Sequence, residues 1–227
     1  MRRAEFEILQ VLFGTERFGG GKMIGICRNC GNHEWDKEVN GNQITCPKCK
    51  ASWEFRKLPL FILTGCSGVG KTTTGQALLK RNVDFVVLDA DMFYNLMPHE
   101  TQEDYYDQME QIEALSKNIM QSGKPVLWTM AGNLDKVNKV YHRRFFSEIY
   151  CLALTCSEEE LRDRMRNGRG ITDENWIQGS VDYNEYFRTH KVAYDLEYET
   201  LDMSGRSAEE LAEQVEAWVN AKLTSVQ

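Results

Sequence analysis

From residue 58 onward, short apolar runs alternate with longer segments whose apolar positions recur at helical spacing. The runs that predict strands lie at residues 60–64, 85–88, 125–129, 149–154 and 199–202. Strands that alternate with helices are typical of a parallel sheet with helices on both faces. The pattern therefore predicts an α/β fold in three layers, with a five-stranded parallel sheet in the middle.

Three positions carry the signals of a helix start. Ser157 with Glu160 and Ser207 with Glu210 both have the spacing of a capping box, and Thr101 begins a long helical pattern. After Ser207, one apolar stripe predicts a final helix packed on the sheet; its members are Leu211, Val215, Trp218 and Val219. We also expect Trp128 to lie in the core and His142 to lie on a solvated helix face.

Differences in composition and pattern divide the chain into three regions. Residues 1–22 form a lead-in that ends in three consecutive glycines at 19–21, which indicate a flexible joint. Residues 23–57 contain two pairs of cysteines, and residues 58–227 carry the α/β pattern. We predict a lead-in, a small metal-binding unit and one larger domain, in that order.

Charge and composition narrow the functional classes. The 227 residues carry a formal net charge of −7, so general attraction to nucleic acid is weak and any anion site must be built locally. No apolar run approaches the ~20 residues that span a bilayer, and charges interrupt the first 18 residues where a signal peptide would be apolar. The seven cysteines do not form a disulfide framework. We expect a cytoplasmic protein with no membrane partner.

A glycine-rich loop follows the first strand of the α/β region. It matches G-x-x-x-x-G-K-[ST] in full, as Gly65-Cys66-Ser67-Gly68-Val69-Gly70-Lys71-Thr72, and Thr73 continues into a predicted helix. Backbone amides of such a loop, together with the helix N-terminus, surround phosphate oxygens. We expect residues 65–73 to bind ATP, with Lys71 on the β- and γ-phosphates and the Thr72 hydroxyl on Mg²⁺.

Two aspartates end the next strand. Asp89 and Asp91 follow the apolar run at 85–88, at the edge of the sheet where open α/β folds bind ligands. One carboxylate there can order water around Mg²⁺, and the other can accept a proton or hydrogen bond from a substrate hydroxyl. The alternative is that both aspartates only terminate the strand.

These motifs together resemble the small P-loop kinases that carry a Leu-Asp-Gly/Ala-Asp motif, a group that includes gluconate, shikimate and adenylylsulfate kinases. Leu88-Asp89-Ala90-Asp91 matches that motif, and the resemblance extends over about residues 58–222. It implies that Asp91 contacts the acceptor and that Asp89 is its metal-side or general-base partner. It also implies that residues 203–206 meet the adenine ring.

Four arginines fall where such kinases place their lid. Helical spacing puts Arg162, Arg166 and Arg169 on one stripe, whereas the resemblance favours Arg164 and Arg169. Guanidinium groups stabilise the charge that spreads over a phosphoryl group during transfer. The alternative for each arginine other than Arg169 is a solvated helix that pairs with residues 158–160.

The two cysteine pairs have the spacing of a zinc ribbon. Cys27 and Cys30 form one C-x-x-C knuckle, Cys46 and Cys49 form the other, and fifteen residues separate them. Four thiolates leave no open coordination position, so we expect the zinc to be structural. The ribbon either docks a protein or nucleic acid or only steadies the larger domain.

The sequence thus predicts an ATP-dependent kinase for a small-molecule acceptor, with a nucleoside or nucleotide slightly favoured over a sugar or another hydroxyl compound. Lys71, Asp89, Asp91, Arg164 and Arg169 are the candidate catalytic residues. The alternative is an ATP-binding module, or a polynucleotide kinase, whose zinc ribbon binds nucleic acid or protein.

Overall fold

The structure is a computed structural model that describes residues 24–225, so the predicted lead-in at 1–22 lies outside the described residues. Ten strands occur in this range: β1 (Glu38–Asn40), β2 (Gln43–Thr45), β3 (Ser52–Glu54), β4 (Leu60–Thr64), β5 (Val86–Asp89), β6 (Val126–Thr129), β7 (Ile149–Thr155), β8 (Val192–Ala193), β9 (Leu196–Glu197) and β10 (Glu199–Asp202). The α-helices in this range are α1 (Lys71–Leu79), α2 (Gln102–Ile119), α3 (Glu158–Asp163), α4 (Glu174–Thr189) and α5 (Ala208–Ser225). None of the helices between residues 24 and 225 has the length and apolar character needed to cross a membrane.

The main sheet has five strands in the order β10-β7-β4-β6-β5, and every neighbouring pair is parallel. All five predicted strands form within one residue of the predicted bounds, and the predicted α/β fold is confirmed. The strand that leads into the glycine loop, β4, lies in the centre. Its five residues are all buried, as expected for a strand covered on both faces.

Side chains of β4 alternate between two apolar layers. Phe61 and Leu63 pack with the buried faces of α1 and α5, while Leu60 and Ile62 pack with α2. Trp128 of β6 is fully buried in the second layer, and its indole N–H donates a hydrogen bond to the Ser116 hydroxyl (2.7 Å). The core position predicted for Trp128 is confirmed.

Capping side chains make hydrogen bonds at each of the predicted helix starts. Thr101 and Asp104 make a reciprocal capping box at the start of α2, and Ser207 and Glu210 do the same before α5. Ser157 accepts a hydrogen bond from the Glu160 amide at the start of α3. Local sequence therefore determines where each of these helices begins.

The position predicted for His142 is wrong. It lies in a short 3₁₀ helix, Tyr141–Phe145, and its side chain is 0% exposed. Its Nδ1 lies 2.7 Å from the Glu110 carboxylate of α2, and the Trp35 ring covers it edge-on at 4.6 Å. Both partners are distant in the sequence, so local periodicity could not indicate the burial.

A small antiparallel sheet, β1-β2-β3, precedes the main sheet. The segment that follows it packs on the 3₁₀ helix through Phe55 and Phe145, whose ring centroids lie 5.7 Å apart. The Tyr141 hydroxyl accepts a hydrogen bond from the Lys37 amide (2.8 Å) and donates one to the Lys37 carbonyl (3.1 Å). The cysteine-bearing unit thus contacts the α/β part through both apolar and polar groups.

Helix α2 also buries a carboxyl group that has no hydrogen-bond partner among the described residues. Glu113 is 0% exposed and both of its carboxylate oxygens are unpaired. Burial, and then the nearby Glu110 carboxylate, raises the pKa of Glu113 well above its ordinary value. The Arg143 guanidinium acts in the opposite direction and does not outweigh them. The folded chain therefore keeps a proton here that the unfolded chain releases.

A Glu113→Gln variant tests this burial. The free energy of unfolding of the natural chain should fall as pH rises from 4.5 through the raised pKa, because the unfolded chain binds fewer protons there. Glutamine cannot ionise, so the variant should lose this part of the slope. At alkaline pH it should therefore be the more stable protein.

Urea unfolding across this pH range measures both the slope and the difference in stability. Glu103→Gln, on an exposed position of the same helix, is the control and should retain the natural slope. Equal slopes in all three proteins would contradict the assignment.

Candidate active site

The glycine loop turns sharply between β4 and α1. Gly65 and Gly70 have φ angles of 137° and 113°, a region that side chains disfavour. A Cβ at Gly65 would lie 2.6 Å from the Leu154 carbonyl oxygen, and one at Gly70 would lie 2.9 Å from the Met203 side chain. Both glycines are therefore required by backbone geometry and by close packing.

Lys71 folds back over this loop. Its ammonium group donates hydrogen bonds to the carbonyl oxygens of Gly65 (2.9 Å) and Cys66 (2.8 Å). Burial lowers the pKa of Lys71, and the negative groups that counteract this include Asp91 and Asp89. A largely desolvated cation that is held only by carbonyl dipoles is well suited to attract a phosphate oxygen.

The two aspartates lie where β5 ends, at the carboxyl edge of the sheet. Asp89 is the last strand residue, and its Oδ1 accepts a hydrogen bond from the Asp91 amide (3.0 Å). This bond caps a short 3₁₀ helix, Ala90–Asn95, that carries Asp91 in its first turn. Burial, and then the Asp89 carboxylate, raises the pKa of Asp91. Asp91 thus becomes a better proton acceptor than an ordinary aspartate.

The segment after α3 brings two of the four arginines to the loop. Arg164 donates a hydrogen bond to the Val69 carbonyl (3.2 Å), and Arg169 donates one to the Ser67 hydroxyl (2.6 Å). The Arg169 guanidinium also lies over the Trp176 ring, 5.7 Å from its centroid. Arg164 and Arg169 therefore face the glycine loop.

Three of the four arginines also pair with carboxylates outside the loop. For Arg164 the partner is Glu160 (2.5 Å), one of the acidic residues of the alternative interpretation. Arg162 donates a hydrogen bond to Glu158 (2.8 Å) and Arg166 donates one to Glu174 (2.8 Å). The stripe predicted by helical spacing is wrong because α3 ends at Asp163 and continues as a π-helical turn, Arg164–Gly168. The Arg169 amide bonds to the Arg164 carbonyl five residues back (3.0 Å), so the spacing of an α-helix no longer applies.

A cavity of about 620 Å³ lies between these elements. Among the predicted site residues, its walls contain Ser67, Gly68, Gly70, Lys71, Thr72, Thr73, Asp89, Asp91, Arg164 and Arg169. Met203 and Arg206, from the segment predicted to meet adenine, also line it. The structure therefore gathers the loop, the two carboxylates and two arginines around one space.

Three residues of the motif do not line this cavity. They are Gly65, Cys66 and Val69, and the side chains of the last two are buried in the apolar core. Burial raises the pKa of the Cys66 thiol to about 12, so this cysteine stays protonated. The side chains of Cys66 and Val69 thus have structural positions.

Thr129 and Met130 also line the cavity, although they were not among the candidate site residues. Thr129 ends β6 and pairs in register with Asp89 of β5, and its hydroxyl is buried without a partner among the described residues. Since parallel strands end at one edge of the sheet, its place at the end of the third predicted strand accounts for its position in the site.

The four cysteines of the small unit lie together. Their Sγ atoms are all within 4.8 Å of one another, with Cys27 and Cys49 at 3.5 Å and Cys30 and Cys46 at 3.7 Å. Tetrahedral zinc with bonds of about 2.3 Å holds its sulfur ligands about 3.8 Å apart. This cluster could hold a metal ion with little rearrangement.

Comparison with known proteins gives the family. Residues 62–187, more than half of the chain, match the family described as AAA domain. The chain belongs to this family. No curated protein matches it.

Solved structures resemble this member of the AAA domain family in fold. A sugar kinase from Janibacter sp. HTCC2649 is 18% identical with a TM-score of 0.54, covering 73% of this chain and 95% of its own. A gluconokinase from Sinorhizobium meliloti 1021 is 16% identical with a TM-score of 0.52, covering 75% and 97%. The tRNA isopentenylpyrophosphate transferase of Bacillus halodurans is 14% identical with a TM-score of 0.50, covering 74% and 98%. The predicted P-loop kinase fold is confirmed, and at these identities the likeness concerns the fold alone.

Proposed function

We propose that this protein is a kinase that transfers the γ-phosphoryl group of ATP to a hydroxyl group of a small molecule. The observation that carries the proposal is the convergence of Lys71, the Asp89/Asp91 pair and Arg164/Arg169 on one cavity. Nucleotide binding alone requires only the glycine loop, whereas group transfer also requires an acceptor-side base and cations around the moving phosphoryl group.

Each side chain has a separate role in this proposal. Lys71 exchanges its two carbonyl partners for oxygens of the β- and γ-phosphates. Asp91, with its raised pKa, accepts the proton of the acceptor hydroxyl as the phosphoryl group is transferred. Arg164 and Arg169 neutralise the charge that spreads over the transferring oxygens.

The residues around the cavity also suit Mg²⁺. The Thr72 hydroxyl and the Asp89 carboxylate are oxygen donors that line the same cavity, and oxygen is the ligand type that this hard cation prefers. When bound with ATP, Mg²⁺ supplies Lewis-acid stabilisation of the phosphate charge. Asp89 also orients Asp91 by capping the turn that carries it.

An aromatic side chain beside Asp91 supports a ring-containing acceptor. Tyr94 follows Asp91 on the same 3₁₀ helix and is half-exposed. Asp91 and Tyr94 are three residues apart on this 3₁₀ helix, so their side chains lie on the same helix face. A nucleoside base can stack on such a ring, so a nucleoside or nucleotide remains slightly favoured over a sugar.

An acceptor panel tests the proposal. Purified protein with MgATP should release ADP in proportion to one class of acceptor, from nucleosides, nucleotides, sugars and sugar acids, and the phosphorylated acceptor should be detected by mass. Turnover that responds only to RNA or another macromolecule would contradict a small-molecule kinase. So would well-folded, ATP-binding protein that phosphorylates no acceptor.

We further propose that the cysteine cluster holds a structural zinc ion. Four thiolates fill a tetrahedral shell, so the ion is held without an open position for substrate. A unit as small as residues 24–57 buries too little apolar surface to fold without such a support.

Metal analysis of cysteine variants tests this assignment. The natural chain should contain one zinc per molecule, and Cys46→Ser should lose most of it because three thiolates bind zinc far more weakly than four. Cys151→Ala, which removes a buried thiol of β7, should keep full zinc content. Full zinc occupancy in Cys46→Ser would contradict a four-thiolate site.

A further inference from the structure

A second cavity lies where the cysteine-bearing unit meets the α/β part. It has a volume of about 280 Å³ and shares no lining residue with the nucleotide cavity. We call it the seam cavity; its walls include Ile26, Trp35, Lys117, Tyr141, His142 and Phe145. Ligand pockets usually measure about 300–1,000 Å³, so this space suits a compact ligand of one ring.

Lys117 of α2 is the unusual group in this wall. Its side chain is only 5% exposed, and its ammonium group lies 4.5 Å from the centroid of the Phe145 ring. Between residues 24 and 225 the ammonium has no hydrogen-bond acceptor and no carboxylate within ion-pair distance, and the Glu110 carboxylate acts on it only through its charge. Burial lowers its pKa to about 8. A largely buried cation without a contacting anion is costly, and an anionic ligand would offset that cost.

The other charged groups of the wall already have partners or are neutral. The side chains of His33 and Glu34, both largely exposed, lie 3.7 Å from each other. The Lys37 ammonium bonds to the Glu34 carbonyl (2.7 Å) and the Asp36 carboxylate (2.6 Å). His142 binds the Glu110 carboxylate through Nδ1, and burial lowers its pKa to about 4. A ligand with a single negative charge therefore matches this wall better than a multiply charged phosphate, which needs several donors.

Aromatic rings form the remaining surface. Trp35 is 51% exposed although its ring stacks near Tyr141, with centroids 6.3 Å apart. Phe145 lies beneath the Lys117 ammonium. A planar ring bound here would cover the exposed face of Trp35 and gain both apolar burial and ring packing.

We propose that the seam cavity binds a compact aromatic carboxylate, whose carboxylate pairs with Lys117 and whose ring packs against Trp35. Such a ligand contacts the cysteine-bearing unit and α2 at once. It would therefore stabilise the contact between the two parts, and its binding does not depend on phosphoryl transfer.

Benzoate binding to the full-length, zinc-loaded chain saturated with ADP tests this proposal. Calorimetry or ligand-observed NMR should show saturable binding of one benzoate per chain in the millimolar range, with benzamide at least tenfold weaker because it lacks the charge. Lys117→Met keeps the length of the side chain and should weaken benzoate at least tenfold. Lys124→Met removes an exposed lysine just after α2 and should bind benzoate as the natural chain does.

Three results would overturn the proposal: no saturable benzoate binding, equal affinities for benzoate and benzamide, or equal affinities in the natural chain and Lys117→Met. If Lys117→Met does not fold, Trp35→Leu takes its place, since Trp35 is half-exposed. That variant should weaken benzoate, and unchanged affinity would equally overturn the proposal. All of these readouts are independent of kinase turnover, so they can fail while the proposed kinase activity stands.

Discussion

Replacing Lys71 by alanine should reduce phosphoryl transfer by at least about a hundredfold and strongly weaken ATP binding. The reason is electrostatic, because Lys71 supplies a positive charge at the glycine loop. Its ammonium is hydrogen-bonded to two backbone carbonyls, which phosphate oxygens can replace. Initial rates with varied MgATP, together with nucleotide titrations, measure both effects.

Two comparisons make the Lys71 result specific. Zinc content should not change, because the cysteine cluster lies on the other part of the chain. Lys80→Ala removes an exposed lysine at the end of the same helix and should leave the rate within about twofold. A Lys71→Ala protein with turnover close to that of the natural chain would show that this cavity is not where transfer occurs.

Replacing Asp91 by asparagine should lower kcat by about 10²–10⁴-fold while MgATP still binds. Asparagine keeps the shape and can still receive a hydrogen bond, but it cannot take a proton. In the natural chain kcat should fall as pH drops through the pKa of Asp91, which burial and Asp89 raise above the ordinary 3.8. The residual activity of the variant should lack this acidic limb.

Asp84→Asn is the matched control for Asp91. It changes an exposed aspartate just before β5, outside the cavity, and should keep both kcat and the pH profile. If Asp91→Asn lowers the affinity for MgATP but leaves kcat unchanged, Asp91 belongs to the metal side of the site and is not the proton acceptor.

Much of the fold could be predicted because local signals and tertiary packing agree. The apolar runs of the main sheet are bounded by turn residues, and Thr101 and Ser207 fix helix starts through capping contacts with neighbours three residues away. The glycine loop could also be predicted, since its motif is contiguous in the sequence and its backbone conformation at positions 65 and 70 requires glycine.

The wrong predictions came from contacts that no local pattern encodes. His142 is buried by Glu110, which lies 32 residues earlier in the chain, and by Trp35 of the cysteine-bearing unit. The arginine stripe failed because a π-helical turn replaced the assumed α-helix after Asp163. The neighbours that bury His142 can be seen only in the folded structure. The same holds for the change of helical pitch after Asp163.

The most direct test of the central claim is the structure of the full chain with Mg²⁺ and a non-hydrolysable ATP analogue. In that structure the Lys71 ammonium should leave the Gly65 and Cys66 carbonyls and contact the terminal phosphate. Arg169 should leave Ser67 for the same phosphate, and Asp91 should face it from the opposite side of the cavity. A terminal phosphate bound away from Lys71, or an Asp91 carboxylate directed out of the cavity, would contradict phosphoryl transfer at this site.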